Sequence, residues 1–322
     1  MRYIARRLAH AILLLIAISL FSFVLLQWTP GDFFDAMRLD PRVSAQTVEG
    51  LRSQFGVNQS FVARYVRWGR SLVHGDMGYS FSYDAPVAPL LWSRAKNTLL
   101  LAGIATLLAW MIAIPVGIWT AARKDGPGDK VFGAGISTLL AIPDLVLFLI
   151  LLMIAVRTGW FPTGGMVSSS FSNLSAWQKT KDIATHFALP AAGLAIVMLP
   201  MLVRHIRSAM LEALESPFIR AARAHGIPRA RVLLRYALPV ASNPLISLFG
   251  FSIATILSGS AILEVVMSWP GLGPLMVQAI LSRDVYVVAG IVMLSSVFLV
   301  AGNLLADVLL FVSDPRIRVG KT

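Results

Sequence analysis

The sequence contains no cysteine. That single absence removes disulfides, thiolate metal sites and cysteine nucleophiles together, and it says nothing about compartment. Charge is also scarce: 14% of the 322 residues are Asp, Glu, Lys or Arg, where an ordinary soluble domain carries about 25%. Acidic residues are the scarcer sign, 16 against 28 basic ones, for a net charge of +12. Reactive groupings are missing too. The five histidines (His10, His74, His186, His205 and His225) lack zinc-protease spacing, and there is no Gly-x-Ser-x-Gly elbow. Gly320-Lys321-Thr322 looks like the end of a phosphate loop, but Pro315 stands where its first glycine is required and no strand precedes it. The expectation is a chain with no metal, no cofactor, no ATP site of its own and no enzymatic activity. What the sequence has in quantity is hydrophobic residues, 57%, too many for disorder or for a typical soluble globule.

The apolar residues gather into long runs. A helix crossing a hydrocarbon core of about 30 Å needs about 20 mostly apolar residues, and six segments qualify: Leu8–Trp28, Thr98–Thr120, Val131–Val156, Phe187–Val203, Val240–Leu263 and Val285–Leu305. The first holds no Asp, Glu, Lys or Arg. It is longer than a signal-peptide core and no small-x-small site follows it, so it reads as a retained span. The third is interrupted only by Pro143-Asp144.

Basic residues set the orientation. Arg2, Arg6 and Arg7 precede the first run; Arg123, Lys124 and Lys130 lie between the second and third; seven arginines from Arg204 to Arg235 lie between the fourth and fifth; Arg316, Arg318 and Lys321 follow the sixth. With six spans these regions share one side, which the positive-inside rule makes cytoplasmic. Such clustering at the ends of apolar runs points to membrane lipid as the partner of the positive charge, and away from nucleic acid. Trp28 and Trp160 close the first and third spans where interfacial aromatics belong. The outer loop of about residues 29–97 has apolar spacing compatible with short helices at Thr47–Phe55 and Phe61–Val73, punctuated by Gly56, Gly75 and Gly78, and is expected to form a small helical cap.

Residues 212–239 are the most ordered polar stretch. Ser216-Pro217 reads as an N-cap with proline at the first helical position, and Gly226 as the left-handed stop. Pro228 opens a second helix and Pro239 marks a bend or start at the membrane surface. The result is a short helix–turn–helix on the inner face, with small residues (Ala221, Ala222, Ala224) ringed by Arg220, Arg223, Arg229, Arg231 and Arg235.

Ala221-Ala222, three residues, Gly226, nine residues, then Tyr236-Ala237-Leu238-Pro239 resembles the EAA loop of binding-protein-dependent ABC importer permeases, whose pattern is E-A-A-x3-G-x9-I-x-L-P. Arg220 stands where Glu is common and Tyr236 where Ile is common. Phe218–Ala224, Pro30-Gly31-Asp32, Phe55-Gly56-Val57 through Gly75–Ser80, Glu264 through Ser268-Trp269-Pro270-Gly271-Leu272-Gly273, and Asn303–Asp307 through Asp314–Arg318 are similar to the oligopeptide/dipeptide/nickel branch. The likeness covers nearly the whole chain, in order.

The resemblance implies an all-α, six-span permease of a bacterial plasma membrane with both termini cytoplasmic. The chain would divide into residues 1–28, the outer loop 29–97, and the permease domain 98–322 with its coupling segment 212–239. The implied partners are a second, homologous permease, two cytoplasmic ATPase subunits that hold ATP and Mg, and an extracytoplasmic solute-binding protein. The implied cargo is a di- or oligopeptide, with nickel or glutathione as alternatives. A secondary transporter would instead predict internal repeats and paired intramembrane charges. The implied ATPase contact comprises Arg220, Ala221, Ala222, Arg223, Gly226, Leu238 and Pro239.

Three further residues are candidates for the pathway or an outer gate. Asp144 is an ionisable group inside an apolar run, which by default points to function, with the cap of a broken helix as the alternative. Glu264 and Trp269 flank a turn that serves either as a gate or receptor for the binding protein, or as plain structure. Asn303 and Asp307, four apart on one face of the sixth span, read as an inter-helix hydrogen bond or an interfacial anchor.

Overall fold

A computed structural model describes residues 2–28, 33–38, 44–54 and 60–313. The sequence motifs Pro30-Gly31-Asp32, Phe55-Gly56-Val57, Asp314–Arg318 and Gly320-Lys321-Thr322 lie outside the described residues.

The elements in chain order are α1 (Arg2–Trp28), α2 (Phe33–Met37), α3 (Ala45–Gln54), α4 (Phe61–Val73), a hairpin of β1 (Tyr79–Ser80) and β2 (Ala85–Pro86), α5 (Val87–Ala122), α6 (Pro127–Ala141), α7 (Asp144–Thr158), α8 (Ala176–Leu214), α9 (Pro217–Ala224), α10 (Arg229–Arg231), a π-helical stretch Val232–Ala237, α11 (Leu238–Val266), α12 (Leu272–Leu281) and α13 (Val285–Ser313). Among the described residues five helices are long and apolar enough to cross a membrane, six if α6 and α7 count as one span. The helices run well beyond the apolar stretches that identify them: Thr98–Thr120 sits within the 36 residues of α5, and Phe187–Val203 within the 39 of α8.

The third apolar run differs from a single span. It is two helices turned 99° from one another. Pro143 explains the break: it has no N–H to donate and drives the residue before it out of the helical region, and Ile142 is accordingly extended at φ −85°, ψ 121°.

The described residues form two compact units. One draws on Met1–Thr98 and Pro270–Val300. In it, Phe23 of α1 meets Phe61, Tyr65 and Trp68 of α4, with ring centroids 5.9, 5.6 and 5.5 Å away. A second cluster joins Val87, Leu91 and Ala95 to Leu272, Leu275, Val287 and Ile291. The hairpin, which pairs Tyr79 with Pro86 and Ser80 with Ala85, went unseen in the sequence. It is tied down by the buried Asp284 at the start of α13, which accepts from the Ser80 hydroxyl (2.6 Å) and the Ser82 amide (3.2 Å).

The other unit draws on Leu99–Trp269 and Ala301–Thr322. Its post is α8, which buries Leu194, Ala195, Leu202, Ile206 and Met210 and packs against α6, α7 and α11. Close helix approach is bought by small residues. A Cβ on Gly250 of α11 would stand 2.1 Å from the Ala306 Cβ of α13, so that crossing admits only hydrogen there. Large apolar side chains remain exposed on α7, including Leu145, Leu149, Met153 and Val156. Helices with such surfaces need an apolar surrounding.

Candidate functional site

The segment from Ser216 to Pro239 lies within the second unit. Ser216 sits at the N-cap of α9 as the sequence suggests, but its hydroxyl does not cap; it donates back to the Ala213 carbonyl at 2.6 Å, closing α8 instead. Pro217 occupies the first turn, where its missing N–H costs nothing. At the other end, Gly226 has φ +76°. Its amide donates to Arg223 O (3.0 Å) and the Ile227 amide to Ala222 O (3.3 Å), the two bonds of a Schellman stop. Ile227 then packs on the core.

The faces of α9 separate sharply. Ile219 and Ala222 are buried; Phe218, Arg220, Ala221, Arg223 and Ala224 are exposed. The exposed small face is therefore Ala221 and Ala224, and Ala222, grouped with them in the sequence reading, points inward. The chain does not restart at Pro239. Residues 229–266 run on through a π turn, where the Leu238 amide donates to Leu233 O, five residues back. A proline at 239 has no amide for the Arg235 carbonyl, and the wider turn accommodates that loss. Leu238 is half-buried and Pro239 exposed.

Four contacts hold this segment and the start of α6 to the unit. Arg207 of α8 grips Asp129 of α6 with both arms, Nε to Oδ1 at 2.9 Å and a terminal nitrogen to Oδ2 at 2.7 Å. Asp129 also accepts from the Asp125 amide (3.0 Å), which fixes the turn between α5 and α6. Lys124 pairs with Glu215 at 3.2 Å, and the Arg229 guanidinium donates to the Ala122 carbonyl. A cleft of about 480 Å³ opens beside the segment, lined among others by Lys124, Glu215, Arg223 and Arg229. Asp129 and Arg207 were not singled out in the sequence; their pairing spans 78 residues.

The other candidates lie elsewhere. Asp144 is the first residue of α7 and exposed, at a helix end whose dipole favours a carboxylate. Glu264 and Trp269 are both fully buried. Trp269 stands edge-on to Phe187 with centroids 4.4 Å apart, and its amide donates to the Glu264 carbonyl at 2.8 Å. The turn that this bond closes places Ser268 at φ +49°, so serine does here what Gly226 does at α9. Side chains buried in this way brace the turn, and their backbone is what shapes its surface. Asn303 is exposed and Asp307 half-buried on α13. In the first unit, Tyr79 donates to Asp84 at 2.6 Å, and that carboxylate holds the phenol above its usual range. Among the described residues no three His, Asp or Glu side chains gather as a metal site would require.

Comparison with known proteins agrees with this geometry. The family model of the binding-protein-dependent transport system inner membrane component matches residues 113–319, and the model of its N-terminal region matches residues 1–102. The oligopeptide transport system permease protein AppB of Bacillus subtilis is 38% identical over 321 residues, 98% of this chain and 99% of that one. A putative peptide permease of Brucella ovis is 34% identical, covering 99% of both chains, and the oligopeptide transport system permease protein OppB of Mycobacterium bovis is 30% identical, again over 99% of both. A chain from a solved inward-facing MetNI methionine ABC transporter has the same fold over 70% of this chain and 96% of its own, with a TM-score of 0.58 at 18% identity. With its run of membrane-length helices and a match that takes in most of its length, the chain belongs to the family of binding-protein-dependent transport system inner membrane components, the permease subunits of ABC importers.

Proposed function

We propose that this chain is one of two permease subunits of an ATP-driven importer of di- or oligopeptides. It spans the membrane six times, with α6 and α7 together making the third crossing and both termini in the cytoplasm. Residues 1–28, 29–97 and 98–322 act as first span, outer cap and permease domain. A solute-binding protein delivers peptide to the outer side. Two ATPase subunits supply ATP, Mg and the hydrolytic chemistry.

The observation that carries the reading is α9. It is a short helix fastened at both ends, buried along Ile219 and Ala222, and it presents Ala221 and Ala224 between Phe218 and Arg220. Small side chains let a partner's backbone approach closely, and the flanking Arg220 and Arg223 fix its approach by charge. Together with Gly226, Leu238 and Pro239 this surface is the ATPase contact. The ties through Asp129–Arg207 and Lys124–Glu215 let a push on α9 reach α6 and α8 as rigid elements, since packed helices switch between discrete arrangements. Asp144 is assigned to the pathway, and Glu264 and Trp269 to bracing the outer gate. Peptide, rather than nickel or glutathione, is favoured by the relatives that match along their whole length, which are peptide permeases by name.

The test is purification of the tagged full chain from its host in mild detergent, followed by reconstitution with its co-purifying chains. We expect a second six-span protein and ATPase subunits, with ATP-dependent uptake of a labelled oligopeptide. A chain that purifies alone and moves solute without ATP would overturn the reading in favour of a secondary transporter.

A further inference from the structure

The helix α4 divides into three sectors. At about 100° per residue, Phe61, Tyr65, Trp68 and Leu72 share one face, and they pack on α1 and on Ala289 and Met293 of α13. Val62, Val66 and Val73 form a second flank, and all three are exposed at 66%, 59% and 85%. Arg64 and Arg67 lie on the flank opposite the valines, beside a cleft of about 350 Å³ whose other walls include Tyr79 and Tyr286.

The contact with α1 fixes where these flanks lie. The Tyr65 hydroxyl hydrogen-bonds Ser19 at 2.9 Å. Ser19 falls inside the membrane-length stretch Arg7–Leu25. It precedes Trp28 by nine residues, and Phe23, on which the rings of Phe61, Tyr65 and Trp68 pack, precedes it by five. At 1.5 Å per residue these are about 13.5 and about 7.5 Å along the helix axis, the longer distance being spanned by the Tyr65 side chain. A helix bonded to α1 at that point is the part of the outer cap that does not stand clear in water. It lies alongside the half of α1 nearer Trp28, at the level of one lipid leaflet.

We propose that α4 is an interfacial helix whose valine flank is covered by phospholipid acyl chains and whose arginine flank faces the headgroups and water. The two flanks are roughly 150° apart by the same helical count, which is the arrangement of a helix lying in the membrane plane. Its third face, the aromatic one, is then lateral and held by the protein. The assignment to the outer leaflet rests on the orientation given under Proposed function.

Because this chain has no cysteine, a single spin label can be placed on it without background once any cysteines of its partner chains are replaced. Val62→Cys, Val66→Cys, Val73→Cys, Arg64→Cys and Arg67→Cys would be labelled in the full assembled complex, in vesicles of phosphatidylethanolamine and phosphatidylglycerol. Collision with oxygen and with a water-soluble nickel chelate would be compared by power saturation. Leu13→Cys on the exposed surface of α1 and Asp84→Cys on the hairpin turn serve as lipid and water references. The expected result is an oxygen-to-chelate ratio at the three valine positions several-fold above that at Asp84 and close to that at Leu13, with the arginine positions resembling Asp84. Chelate access at the valines would overturn the proposal, and so would protection from both reagents, which would mean that a protein covers the flank. Labelling Asp84→Cys in intact cells with an impermeant thiol reagent tests the leaflet separately; reaction only after the cells are opened would overturn the outer assignment. Peptide uptake by the same vesicles reports on the import reading without touching either result.

Discussion

At the scale of single residues, two positions hold the segment proposed above to contact the ATPase. Gly226 sits at φ +76° with open space around its Cα. Nothing would clash with a side chain there, so the constraint is conformational. Gly226→Val forces a β-branched residue into the left-handed region, at a cost of about 1–3 kcal/mol, and opens the Schellman stop. Peptide uptake and peptide-stimulated ATP hydrolysis should fall several-fold while membrane insertion persists; unchanged uptake would remove Gly226 from the coupling site. The other position is Arg207. Its side chain is one-third exposed and that of Asp129 less than a tenth. Arg207→Ala leaves a nearly buried carboxylate with only the Asp125 amide. The loss should be roughly 1–2 kcal/mol, below that for a fully buried pair, and would be read as a lower unfolding midpoint in detergent. Arg207→Lys should recover only part of it, since an ammonium cannot reproduce the two-armed grip. Gly226 announced itself in the sequence because glycine before Ile-Pro at a helix end has few other uses. The Asp129–Arg207 pair did not, because nothing local to either residue points across 78 positions.

At the scale of elements, the hairpin β1–β2 depends on one carboxylate at a distance of some 200 residues. Asp284→Ala removes the acceptor for Ser80, Ser82 and the Val287 amide together. The hairpin turn should then become protease-sensitive and exchange its amides faster, with α8 unaffected; equal protection in the variant would show that β1–β2 stands without Asp284. The helices themselves were legible, since long charge-free runs have only one way to satisfy their backbone in lipid. Their ends were less so. Ser268 and Arg283 take positive φ at helix stops where the sequence offers no glycine, because the surrounding fold, not the residue, imposes the turn. The hairpin escaped notice for a related reason: strands of two residues show no alternation to detect.

At the scale of the whole molecule, the sequence composition and the structure's exposed surface say the same thing. Leu13, Phe21 and Trp28 on α1 and Val156 on α7 lie open at 65% or more, so transfer from lipid or detergent into water should aggregate the chain, as loss of solubility on detergent removal would show. The order of the apolar helices was readable from hydropathy, whereas the 99° corner between α6 and α7 was readable only as an interruption at Pro143. The π turn at Val232–Ala237 has a consequence for how the chain tolerates changes of length. A π turn holds one residue more than the α-helix it replaces. Deleting the exposed Leu234 should let the turn tighten to α while every later side chain keeps its facing. Deleting the exposed Phe251 in α11 should instead rotate all that follows by about 100°, carrying Ser252 and Ile256 out of the core. The spare residue makes this the one stretch between Arg229 and Val266 where the gene can lose a codon and the protein keep its register.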